Sequence, residues 1–103
     1  MYETLTTQEF DKDFSKLDKS IKIRIDKVIE KLRENPYTGK PLGYEFFREQ
    51  KVGKHRIYYL IYEQFLVVFV VAMSEKNDQQ ETIDKVKNLM PFYKEEISKN
   101  FKS

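Results

Sequence analysis

The sequence predicts an α+β fold: an antiparallel sheet with an N-terminal helical hairpin packed on it, in the order β-α-α-β-β-β-α. Three observations carry that expectation. Apolar residues recur at helical spacing in two blocks between positions 6 and 32, parted only by Asp18 and Lys19. Three runs rich in β-branched and aromatic residues follow between positions 46 and 73, separated by short turns. Helical spacing then returns from Ile83 onward. At 103 residues the chain reads as one domain, 1–103, with enough length to bury one core.

Met1 to Thr4 reads as a first strand. Thr6 and Glu9 have the spacing of a capping box, in which each side chain satisfies a backbone N–H at a helix start. Phe10, Phe14 and Leu17 give the first helix its apolar stripe. Ser20 is a candidate cap for the second helix. Ile21, Ile25, Val28, Ile29 and Leu32 form its buried face, and Lys22, Lys27, Glu30 and Lys31 point outward. Asn35-Pro36 ends it, because the residue before a proline is pushed out of helical geometry. Residues 37–44 hold two glycines and a proline and read as a loop. Phe46–Val52, His55–Tyr62 and Phe65–Met73 are the strands of a meander, turning at Gly53-Lys54 and at Glu63-Gln64. Phe65–Met73 is apolar at nearly every position, as a strand covered on both faces must be. Asp78 with Glu81 caps a last helix marked by Ile83, Val86, Leu89 and Met90. Pro91 is expected to kink or break it. Phe92, Ile97 and Phe101 continue an amphipathic tail, 91–103, expected to be mobile.

Composition narrows the function. There is no cysteine, which removes disulfides and thiolate chemistry and suits a reducing cytoplasm. The single histidine, His55, removes a multi-histidine metal site. No metal and no cofactor are expected. The N-terminus lacks a basic-then-apolar signal pattern, and the longest apolar run falls far short of the ~20 residues of a membrane helix. A cytoplasmic protein without a membrane role is the expectation. Net charge is only +2, so any nucleic-acid role depends on how the charge is distributed.

Three stretches carry a family resemblance. Glu34-Asn35-Pro36-Tyr37-Thr38-Gly39-Lys40-Pro41-Leu42 resembles the "NPxxGKPL" segment of the RelE/ParE toxins. Lys51-Val52-Gly53-Lys54-His55-Arg56-Ile57-Tyr58-Tyr59 resembles their "RVGxYRxxY" segment. Ser74-Glu75-Lys76 sits where members place a short basic segment after the last strand. The resemblance covers nearly the whole chain. It implies the toxin of a type II toxin–antitoxin pair, neutralised by a RelB-like antitoxin that wraps it. RelE-like members cut mRNA in the ribosomal A site, with the RNA's own 2′-hydroxyl attacking the adjacent phosphate and no metal required. ParE-like members share the fold and poison DNA gyrase.

Such a cut needs a base for the 2′-hydroxyl proton, cations for the dianionic phosphorane, and an acid for the leaving 5′-oxygen. Arg56 matches the arginine of the family motif and is expected to clamp the scissile phosphate bidentately; otherwise it is a surface arginine paired with Glu49. Strand alternation puts Arg56, Tyr58, Leu60 and Tyr62 on one face and His55, Ile57, Tyr59 and Ile61 on the other. Glu49 and Lys51 share a face of the preceding strand, near positions where some RelE-like toxins carry two lysines. Lys51 keeps the charge. Glu49 departs from it, and is read either as the general base that other members use or as half of a surface ion pair. Lys76 is expected at the leaving oxygen or on phosphate, or else is an exposed loop lysine. Arg48 and Lys54 are expected to bind RNA, giving four basic residues against one acidic between 48 and 56, unless they are ordinary sheet-edge charge. His55 reads as a packed structural residue. Thr82 falls near the family's C-terminal tyrosine and cannot replace it chemically; Tyr93 and Tyr44 are spatial candidates to do so. The leading expectation is therefore a metal-independent, ribosome-dependent mRNA endonuclease. The basic edge favours it. Thr82 favours either a gyrase-blocking toxin without chemistry or a member that only binds its antitoxin.

Overall fold

Alternation along the strands decides how this chain is layered. The computed structural model describes residues 1–101. Its strands are β1 (Glu3–Thr6), β2 (Lys40–Tyr44), β3 (Phe47–Val52), β4 (His55–Tyr62) and β5 (Val67–Glu75). Its helices are α1 (Gln8–Ser15), α2 (Lys19–Leu32) and α3 (Gln79–Phe101). The sheet order is β1-β5-β4-β3-β2, antiparallel throughout except that β1 lies parallel to β5. After β1 the chain crosses one face of the sheet as the helical hairpin, so β1 and β2 become its opposite edges.

The α+β architecture with its helical hairpin is the one expected, with one strand more. β4 and β5 are buried on both faces. Tyr58, Leu60, Tyr62, Phe69 and Val71 face Ile83, Val86, Tyr93 and Ile97 of α3. Ile57, Tyr59, Ile61, Val68 and Val70 face Phe10, Ile25 and Leu32 of the hairpin. The core is thus two apolar layers with the sheet between them. α1 covers β5, and α2 covers β3.

Several boundaries differ from the expectation, each for a local reason. β1 runs through Thr6, so Thr7 is the cap of α1 and its hydroxyl accepts from the Phe10 N–H at 3.0 Å. α2 starts after Asp18, and Ser20 is already helical. Leu66 takes left-handed geometry (φ 52°) after a 3-10 turn over Glu63–Phe65, delaying β5 to Val67. Pro91 lies inside α3 without ending it. Proline removes one helical hydrogen bond. The buried stripe Ile83, Val86, Tyr93 and Ile97 nevertheless continues in phase across it, and sheet packing holds both halves. The tail up to residue 101 is therefore helical, with Phe101 stacked on Phe65 at 5.6 Å; positions 102 and 103 of the expected tail lie outside the described residues.

The segment read as a loop contains β2. Asn35 accepts from the Tyr37 N–H at 3.1 Å and opens a 3-10 turn over Pro36–Thr38. Gly39 follows under the ring of Tyr59, whose hydroxyl donates to the Pro36 carbonyl (2.7 Å) and accepts from the Gly39 N–H (3.1 Å). A Cβ there would lie 2.6 Å from the Glu49 carbonyl, so glycine is demanded by close approach. Lys40 then pairs with Glu49, and Pro41 is tolerated because β2 is an edge strand.

Two phenols of this region give the fold a defined alkaline limit. Tyr37 donates to the Glu63 carboxylate, which raises its pKa to about 12. Burial raises Tyr59 to about 12. A phenol whose folded pKa exceeds its unfolded value of 10.0 stabilises the fold fully below pH 10. That contribution is lost as pH rises from about 10 to about 12. The denaturation midpoint should fall over this window, and fall less steeply in Tyr37→Phe. Identical pH profiles for the two proteins would contradict the assignment for Tyr37.

Candidate functional site

The apolar rows of the sheet stop where α3 stops, and a charged patch begins. On the α3 face, Lys51 of β3 is the direct cross-strand partner of Arg56 of β4, and Arg56 is that of Ser74 on β5. One row inward, Lys40, Glu49, Tyr58 and Ala72 lie opposite one another across four strands. An extra residue in β5, between Val70 and Ala72, restores the phase that keeps Ser74 on this face. Bulges re-aim side chains in this way and recur beside active sites.

Lys51 and Arg56 line two adjoining depressions. One, of about 380 Å³, is completed by Gly53, Lys54, Glu75, Lys76 and Asn77. The other, of about 420 Å³, has Lys40, Glu49 and Gln79 in its wall. The structure thus brings Lys51, Arg56, Glu49, Lys54 and Lys76 into one cleft. Like charges directly opposite across two strands repel, yet Lys51 forms no ion pair among the described residues. Lys54 is exposed and 3.9 Å from Glu75.

Glu49 is only 7% exposed and sits at the cleft floor. Gln79, the first residue of α3, donates through Nε2 to both carboxylate oxygens at 3.0 Å, and Arg56 Nε lies 4.0 Å away. The carboxylate therefore keeps lone pairs free toward the cleft while its orientation is fixed. Behind it, the Tyr58 hydroxyl is hydrogen-bonded to Ser74 Oγ at 2.7 Å, and burial raises its pKa, so it stays protonated.

Arg48 goes elsewhere. Alternation puts it on the hairpin face with Gln50 and Val52. Its guanidinium donates to the carbonyls of Tyr37 (2.9 Å), Gly39 (2.7 Å) and Glu45 (2.8 Å), and to the Glu45 carboxylate (2.8 Å). At 7% exposure, and stacked on the Tyr37 ring, it offers no free edge to RNA. It braces the Pro36–Gly39 turn that walls the cleft. His55 is buried on the hairpin face, away from Arg56. Thr82 donates to the Asp78 carbonyl and lines a separate depression. Tyr93 packs edge-on against Phe69 in the core, and Tyr44 is four residues along β2 from Lys40, against Phe46. Neither phenol reaches the cleft. Two cleft residues have no forerunner in the sequence reading. Lys40 was hidden in a presumed loop, and Gln79 is placed only by the tertiary position of α3.

The profile of the ParE toxin of the type II toxin–antitoxin system parDE matches residues 5–79. The chain belongs to the ParE toxin family. No curated protein matches it. Among solved structures, the toxin–antitoxin complex RelBE of E. coli is similar at a TM-score of 0.67 and 20% identity, over 73% of this chain and 96% of that one. A mutant of the E. coli toxin RelE in the free state gives 0.72 at 19% identity, over 85% and 97%. A YoeB/ParE toxin from Agrobacterium tumefaciens gives 0.61 at 16% identity, over 71% and 96%. At such identities the likeness to these structures is one of fold. No helix among the described residues of this ParE-family chain is long and apolar enough to cross a membrane.

Lys51, which has no ion pair of its own among the described residues and stands opposite Arg56, makes a stability prediction. Lys51→Gln in this ParE-family toxin should raise unfolding free energy by roughly 0.2–1 kcal/mol at low salt, and the gain should shrink as salt screens the pair. Chemical denaturation of both proteins at two ionic strengths checks it. A loss of stability in Lys51→Gln would mean that the lysine is there for the fold.

Proposed function

We propose that this toxin is a metal-independent endoribonuclease that cuts mRNA on the ribosome. The observation that carries the reading is the Lys51–Arg56 cross-strand pair, two cations side by side with the fixed carboxylate of Glu49 next to them. Side by side the two cations repel, and the dianionic phosphorane formed in the cut would relieve that repulsion. In the reaction, Glu49 takes the proton of the 2′-hydroxyl. The 2′-oxygen attacks the adjacent phosphorus, and the bond from phosphorus to the 5′-oxygen breaks. Arg56 and Lys51 stabilise the charge gathering on the non-bridging oxygens. Lys76 gives its proton to the departing 5′-oxygen. The products are a 2′,3′-cyclic phosphate and a free 5′-hydroxyl. Lys54, at the rim, steers the backbone in. The part foreseen for Arg48 is not carried forward, since its guanidinium is spent within the protein.

A second reading has one observation in its favour. Among the described residues, no tyrosine or histidine lines either depression, so the cleft lacks an aromatic platform for a base. A toxin that blocks DNA gyrase by binding alone would need none. Both readings include an antitoxin partner, in keeping with the toxin–antitoxin complexes of RelBE type that share the fold. Co-purification with the product of the neighbouring reading frame tests that partner.

Purified toxin with programmed ribosomes separates the two functions. Mapped mRNA ends should fall at the A-site codon and carry cyclic phosphate. Arg56→Lys keeps the charge but loses the planar fork, and should slow cleavage by about 10²-fold or more with folding intact. Intact mRNA together with inhibited gyrase supercoiling would replace the nuclease reading with the blocking one.

A further inference from the structure

We infer that one flank of α2, bearing Arg24, Lys27 and Lys31, is a second surface for RNA phosphates, continuous with the cleft around the Gly53 turn. The inference rests on the nuclease reading and extends it to what lies outside the cut. Arg24, Lys27 and Lys31 follow the i, i+3, i+7 spacing that aligns side chains along one line of a helix. That line lies beside the buried face made by Ile25, Val28, Ile29 and Leu32. The acidic residues of the helix, Asp26 and Glu30, fall on the opposite flank with Ile23, where Glu30 pairs with Arg33. The line of Arg24, Lys27 and Lys31 thus holds no acidic residue, while the other flank mixes Asp26 and Glu30 with Lys22 and Arg33. All three cations are exposed, and among the described residues none forms an ion pair.

The fold turns this flank toward the site. α1 covers β5 while α2 covers β3 and touches the Pro36–Thr38 turn, so the side of α2 away from α1 overlooks the β2–β3 edge. Arg24 lies against the β3–β4 turn, where a Cβ on Gly53 would come within 3.2 Å of its Nη1. Gly53 also lines the depression that holds Lys51, Lys54, Arg56 and Lys76. The row continues from there for seven residues, about 10 Å of helix. Among the described residues none of its cations is ion-paired, and the complementary partner is a polyanion with repeating phosphates. Because the flank meets the cleft at Gly53, that polyanion is the cut strand itself, running out of the cleft.

The test uses the full-length chain, an unstructured single-stranded RNA oligonucleotide, and intact ribosomes. The triple variant Arg24→Gln, Lys27→Gln, Lys31→Gln is compared with wild type and with a control, Lys12→Gln, Lys16→Gln, Lys19→Gln, that removes the same net charge from elsewhere on the hairpin. Binding is measured over a salt series, and thermal unfolding confirms that all three fold alike. On the oligonucleotide the first triple should lower affinity by tenfold or more. It should also reduce the log–log salt slope by about 2, the sum of three contacts at about 0.7 each. The control should change neither by as much. Loss on the oligonucleotide supports the flank as a path for the cut strand; loss on ribosomes alone overturns it in favour of structured RNA. Equal effects of the two triples, or no change of slope with either probe, overturn the flank. Failure of wild type to bind any RNA would instead overturn the nuclease reading beneath it.

Discussion

Everything in this toxin's candidate site depends on the register between β3 and β4. β4 is buried on both faces, between α3 on one side and the hairpin on the other. A slip of one residue would exchange those faces, driving Arg56 into the hairpin layer and turning Ile57 and Tyr59 to the α3 face. The two-residue turn at Gly53-Lys54, with Gly53 in left-handed geometry (φ 60°), fixes the pairing from the other end. Lys51 therefore has no choice of neighbour: it faces Arg56, and Glu49 faces Tyr58 one row inward. The apolar core sets the geometry of the charged cleft, with Tyr58 of that core directly behind Glu49.

The cleft's second wall is held by a different device. Arg48 and Tyr59, cross-strand partners on the hairpin face, both bind the backbone of the Pro36–Gly39 turn, one through two carbonyls and the other through a carbonyl and an N–H. Gly39 permits both by lacking a side chain. The motif around Asn35-Pro36 and Gly39-Lys40 thus reads as scaffolding that carries Lys40 to Glu49, and the motif around Arg56 as the cleft itself. One is braced by Arg48, whose guanidinium bonds within the protein; in the other, Lys51 is exposed and the half-buried Arg56 has the Glu49 carboxylate 4.0 Å away.

Much of this was legible in the sequence. The hairpin, the meander and the last helix follow from periodicity, and the faces of Arg56 and His55 follow from alternation. Arg48 was legible as well, since strict alternation puts it opposite Glu49 and Lys51; counting local charge without regard to face obscured it. β2 was not legible. Pro41 and two glycines speak against a strand, and only the open edge of β3 makes one. Gln79 was not legible either, because nothing local says that the first residue of α3 will reach a carboxylate thirty positions earlier. The in-phase continuation of α3 through Pro91 likewise depends on packing against the sheet, which outweighs one missing helical hydrogen bond.

The central claim is that the fixed carboxylate beside the paired cations does chemistry. Single-turnover cleavage by Glu49→Gln, measured with RNA affinity on the same preparation, tests it most directly. Glutamine preserves the shape and the contact with Gln79 but cannot take a proton. The account predicts a fall of ~10²-fold or more in the cleavage step with RNA binding held or improved. Unchanged cleavage in a folded Glu49→Gln protein would contradict it, and would leave Glu49 as no more than a structural partner of Arg56.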